Sequence, residues 1–100
     1  AVIVEILDED RRPTAEGQGP SGIEPLQAGR YAEAETALRS LLSVPRSAQE
    51  MARLRFYLGQ SLYLQGLYEE AALEFLLARD ARYAQVQPWL EDSFRLMRVR

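Results

Sequence analysis

The stretch from Leu54 to Asp80, LRFYLGQSLYLQGLYEEAALEFLLARD, constrains the fold of this chain more than any other segment. Gly66 interrupts an apolar helical pattern near its middle. Glycine there supplies the left-handed backbone on which helices commonly end. Beyond it Tyr68, Ala71, Phe75 and Ala78 recur at spacings of three, four and three, the period of one helix face. The segment predicts two short helices joined by a tight turn and packed face to face.

One hundred residues make one small domain, and 47% apolar residues suffice for a core if the helices stack. The chain has no Cys, and so no disulfide framework, thiol nucleophile or thiolate metal site. It has no His, which removes the usual general base and the commonest metal ligand. A Ser-His-Asp or Cys-His site within the chain is thereby excluded. No metal or cofactor is expected. Net charge is −3, from 15 acidic and 12 basic residues, and every basic residue is Arg. That balance lacks the footprint of a nucleic-acid binder. No apolar run approaches the roughly 18 residues that span a bilayer. The chain opens on Ala1, which leaves a removed signal peptide and an excised segment both open.

Val2 to Leu7 is rich in β-branched residues and strand-like. Asp8 to Arg12 is a charged turn before Pro13, and Thr14 to Glu16 is a candidate second strand. A lone two-stranded hairpin is marginal in water. The alternatives are a frayed tail or a strand that pairs elsewhere. Gly17, Gly19, Pro20, Gly22 and Pro25 then give linker composition. Residues 1–25 form an arm and linker in this reading, and residues 26–100 the helical domain, with one turn at Leu26 to Ala28.

Four helices are predicted, near 30–43, 48–65, 67–80 and 87–98. Tyr31, Ala34, Leu38 and Leu41 share a face of the first, and Pro45 ends it. Ser47 and Glu50 have capping-box spacing, in which each side chain meets the other's backbone amide. Glu69 and Glu70 fall in a first turn and Arg79 in a last turn, matching the helix dipole. Pro88 suits the first position of the final helix, with Val86, Leu90, Phe94 and Met97 on one face.

Leu58, Gly59, Tyr68, Ala71, Phe75 and Ala78 together resemble the tetratricopeptide repeat, a helix-turn-helix unit of about 34 residues. In that register Gly59 and Ala71 are close-approach positions, Ala78 admits the next repeat, and Tyr68 and Phe75 fill the space between helices. Arg55 departs from the family's frequent Trp, and Tyr83 from its frequent Pro. A shift of 34 places Trp89 on Arg55, Ser93 on Gly59, Leu90 on Phe56 and Met97 on Tyr63. A shift of 37 in the other direction matches Gly29, Tyr31, Ala34 and Leu38 to Gly66, Tyr68, Ala71 and Phe75. The resemblance covers residues 26 to 100, as one full repeat and two halves. An ordinary small helical bundle is the alternative.

The resemblance implies a concave groove, lined by the first helices of successive repeats, that takes a peptide or partner protein. The matching positions are Arg53, Phe56, Gln60, Tyr63 and Leu64, then Gln87, Leu90, Phe94, Met97 and Arg98. Such a surface suits an apolar anchor together with a carboxylate. The competing reading is that Leu90, Phe94 and Met97 cover the chain's own core or a neighbouring subunit. The family's carboxylate clamp uses several Lys residues, and this chain has none.

Three acidic groups invite an enzyme reading: Asp8 to Asp10, Glu69 with Glu70, and Glu91 with Asp92. Helix starts account for two of them, and a polar turn accounts for the first. No catalytic residue is expected, and Asp8 to Asp10 lacks a calcium loop's spacing. The expectation is an all-α, tetratricopeptide-like domain of about four helices behind a β-like or disordered arm, serving protein–protein interaction as an adaptor or assembly subunit. Self-assembly and a regulatory domain excised from a larger enzyme are the alternatives. Leu90, Phe94 and Met97 are expected to lie open and to meet a second copy, a partner, or the arm through Val2, Val4 and Ile6. A homodimer is placed first. The compartment stays open, bacterial cytoplasm and periplasm alike.

Overall fold

The computed structural model describes residues 4–11 and 22–99. Regular structure among them is helical: α1 (Asp8–Arg11), α2 (Ile23–Gln27), α3 (Tyr31–Leu42), α4 (Ala48–Leu64), α5 (Tyr68–Ala78) and α6 (Tyr83–Arg98). The chain is all-α in this sense. The four long helices follow the sequence expectation, with one shift at α6. No helix among the described residues is long and apolar enough to cross a membrane.

Two turns share one geometry. After α4, the Gly66 amide donates to the Tyr63 carbonyl and the Leu67 amide to the Leu62 carbonyl, with Gly66 at φ +81°. After α2, the Gly29 amide donates to Leu26 and the Arg30 amide to Pro25, with Gly29 at φ +85°. Both are Schellman turns, which satisfy the last carbonyls of a helix through a left-handed residue. The 37-residue offset noted in the sequence thus relates two equivalent turns. The helix before Gly29 is shortened to five residues rather than lost. Its Ile23, Pro25 and Leu26 are buried, so α2 crosses the 25/26 boundary and belongs to the helical body.

Ser47 caps α4 by accepting from the Glu50 amide at 3.1 Å. The reciprocal half of the capping box is not seen: the Glu50 carboxylate accepts from Arg53 instead, at 2.8 and 2.9 Å. An ion pair one turn along competes with the reach back to the Ser47 amide. The final helix starts at Tyr83, so Pro88 lies inside it rather than at its first position. Its ring removes one amide donor near the helix start, while buried Val86 fixes the first turns against the core.

α4 is the centre of the molecule, with α3 and α5 packed on it and α6 beyond α5. From Phe56 to Tyr63 it buries every residue. Gly59 makes the contact with α5 possible. A Cβ at Gly59 would stand 2.5 to 2.8 Å from three ring atoms of Phe75. The close approach is therefore to Phe75, rather than to Ala71 as the repeat register suggests. Phe75 in turn packs with Phe56 and Trp89, at ring centroid distances of 6.4 and 6.0 Å. Arg55 bridges α4 to α5 through buried Glu74, at 2.8 Å.

The β-like arm is corrected by the structure. Val4 to Leu7 is neither helix nor strand, and Asp8–Arg11 is a helical turn. The candidate second strand at residues 14–16 lies outside the described residues. The segment from Val4 is ordered against the helical body, with Ile6 and Leu7 buried and Val4 packed on the core.

Candidate functional site

The arm lies along α4 and α6, against Arg53 and Gln60 of the surface that the repeat resemblance implies for a partner. It runs antiparallel to α4. Glu5 meets Gln60, Leu7 meets Tyr57, and Asp10 meets Arg53. On α6 it meets Trp89 through Glu5, and just before α6 it meets Arg82 through Glu9.

Gln60 is fully buried, and its side-chain amide reads the arm's backbone. Its Oε1 accepts from the Glu5 amide at 2.8 Å, and its Nε2 donates to the Glu5 carbonyl at 2.9 Å. The pair imitates one rung of a β-ladder and does not depend on the Glu5 side chain. Tyr57 Oη accepts from the Leu7 amide at 3.0 Å and donates to Asp10 at 2.6 Å. Trp89 Nε1 donates to the Glu5 carboxylate at 2.9 Å.

The acidic run is thereby placed. The Asp10 side chain is only 1% exposed and accepts from Arg53 Nε at 3.0 Å as well as from the other arm of that guanidinium. Glu9 accepts from Arg82 at 2.6 Å and stands 3.7 Å from Arg53. Asp8 stays in solvent beside Arg11, and the Glu9 side chain remains about half exposed. The polar turn is instead anchored at Asp10, where the Arg53 guanidinium and the Tyr57 phenol replace the water that its carboxylate loses. Burial alone would raise the Asp10 carboxyl. The hydrogen bonds from Arg53 and Tyr57 outweigh it and hold the group below its ordinary range. Burial, and then the bond to Asp10, push the Tyr57 phenol up.

The predicted groove residues divide. Arg53 and Gln60 hold the arm. Phe56 and Leu90 are in the core, at 0% and 1% exposure, because α5 and Trp89 close over that side of α4. Leu64, Phe94 and Met97 are partly buried against the core. Of the open apolar patch expected at Leu90, Phe94 and Met97, Leu90 is closed off, while Phe94 and Met97 are only partly covered. Gln87 donates to Glu91 at 3.0 Å, and Arg98 is exposed near the end of α6. Tyr63 donates to Asp92, and burial with that carboxylate pushes its phenol up to about 12. Tyr63, Pro88, Trp89 and Asp92 line an open depression of about 260 Å³ beside the Glu5 end of the arm.

Tyr57, Arg82 and Trp89 bind the arm but were not on the sequence-predicted surface. The repeat register places Trp89 on Arg55, outside the positions matched to the groove, and Arg82 falls in a predicted loop. Since α6 begins at Tyr83, the dipole no longer explains Glu91 and Asp92. They are held by Gln87 and by Tyr63 with Arg95.

The arm covers the groove, and the large apolar side chains still exposed include a face of α5. Leu73 and Leu77 are each 56% exposed, with Leu76 beside them at 41%. No family model, curated protein or solved structure matches the chain.

Proposed function

We propose that this chain is a protein–protein interaction module that takes an extended peptide segment along the groove beside α4 and α6. The reading agrees with the tetratricopeptide resemblance, in which such grooves bind peptides. One observation carries it: buried Gln60 grips both backbone groups of Glu5. Backbone groups are common to all peptides, so the same grip suits a segment of another protein. Arg53, Tyr57, Arg82 and Trp89 add side-chain donors around it.

Selection from a displayed random-peptide library tests this. The target is the full chain, with the full chain carrying Gln60→Ala as counter-target. The expected result is a set of peptides that bind the first and not the second. If every selected peptide binds both chains equally, the groove is not a peptide site.

A second reading, self-assembly, draws on the leucine face of α5. Apolar patches of that kind mark association surfaces. Sedimentation across a hundredfold concentration range, with Leu73→Asp as comparison, decides it. A wild-type mass that stays monomeric throughout removes the idea.

A further inference from the structure

The groove's charge pattern specifies what kind of segment it takes. All three carboxylates that the arm directs at the body meet donors: Glu5 meets Trp89, Glu9 meets Arg82, and Asp10 meets Arg53 with Tyr57. Between them Ile6 and Leu7 enter the core. The Arg53 and Arg82 side chains are each only 16% exposed. Guanidinium groups so enclosed need an anionic partner, because leaving one unpaired is costly. An apolar or basic segment there would strand Arg82 and leave Arg53 with Glu50 alone.

Resting on the peptide-groove reading, we propose that the partner is an acidic–apolar segment. It has a carboxylate, two adjacent apolar residues, and a carboxylate pair two residues further on. The chain's own arm, Val4 to Arg11, is the built-in competitor for the same groove. The arm fits the pattern because it is an intramolecular copy of it, joined to the body through residues 12–21.

That covalent connection decides the competition. A short connection gives the arm a high effective concentration, so a partner must bind well to displace it. One contact leaves room to do so. Arg82 gives Glu9 a single nitrogen, and its Nε is buried without a hydrogen-bond partner among the described residues. A carboxylate set against the Nε–Nη2 edge of that guanidinium, the edge away from Nη1, would take both donors there. Bidentate pairing of this kind is the stronger arrangement. The partner can thus exceed the arm at a place where the arm's own fit is incomplete.

The test uses the full chain, isotope-labelled, and two unlabelled capped peptides of residues 4–11. One has the natural sequence, and the other carries Glu5→Lys, Glu9→Lys and Asp10→Lys. Displacement is read at the chain's own Glu5 and Leu7 amides, which move to free-peptide positions as the arm leaves. The natural peptide is expected to displace the arm at a concentration about tenfold or more below that of the Lys peptide. Each such factor corresponds to about 1.4 kcal/mol, which the loss of the enclosed contacts of Glu5 and Asp10, with that of half-exposed Glu9, exceeds. The same titration on the full chain carrying Leu7→Asp, whose arm lacks an anchor, is expected to saturate at about a hundredfold lower peptide concentration. If that variant does not fold, the wild-type comparison decides alone. Equal midpoints for the two peptides would overturn the acidic–apolar pattern and leave the library test of the groove standing. No displacement by either peptide, alongside Gln60-dependent ligands from the library, would show a groove that reads another pattern.

Discussion

Gln60 and Glu5 stand 55 positions apart and exchange two hydrogen bonds, at 2.8 and 2.9 Å, in a site where Gln60 is fully buried. A buried primary amide is costly unless both its donor and its acceptor are used. Here a backbone amide and carbonyl of one residue use both. The contact explains why a glutamine is tolerated at the centre of an apolar helix. It also ties the order of the N-terminal segment to the body of the domain.

The packing of Gly59 on Phe75 gives a first prediction. Ala at this position gains about 1 kcal/mol in helix propensity. Its Cβ meets a ring that is itself fully buried between Phe56 and Trp89, and overpacking costs about 1–3 kcal/mol. Gly59→Ala is expected to lower stability in chemical denaturation. A higher midpoint would mean that the ring can move aside.

Phe75→Ala is expected to cost about 3–5 kcal/mol, as large-to-small changes in a closed core do. The pair should couple. When Gly59→Ala and Phe75→Ala are combined, the added methyl enters space that the ring has left, so the combined loss should fall short of the sum. Strict additivity would place the two residues out of contact.

Acid should release the arm. The Asp10 carboxyl lies below its ordinary value of 3.8 in the folded protein. The unfolded chain therefore takes up the proton first, and stability falls as pH falls. The contribution of Asp10 is complete above that ordinary value and is lost as pH drops through the lower folded value. Arg53, Arg82 and Tyr57 face this group, while Glu9 and Glu50 share its guanidinium partners. Trp89 is the single tryptophan and bonds to Glu5, so its emission reports the arm. The wild type should show an acid step in emission that Asp10→Asn lacks. An identical step in both would assign it to another carboxylate.

The helices were legible because their signals are local. Ser47 caps, Gly66 turns, and the apolar period between them needs no distant contact. The start of α6 was not legible, since Pro88 signals a helix start while buried Val86 carries the helix five residues further back. The surface that meets the arm was legible in part. The repeat resemblance implies Arg53 and Gln60 there, but it also puts Phe56 and Leu90 on that surface, and neighbouring elements bury them. The place of the arm could not be read, because its contacts span 43 to 84 positions. A run of Asp and Glu looks solvated until the arginines that meet it are known.

Amide hydrogen exchange at Glu5 and Leu7 tests the central claim that the arm occupies the groove. The account predicts slowed exchange at both, because one amide donates to Gln60 and the other to Tyr57. Gln60→Ala should abolish the protection at both positions while α4 and α5 stay protected. Exchange at unstructured-peptide rates in the wild type, with the helices protected, would contradict the account.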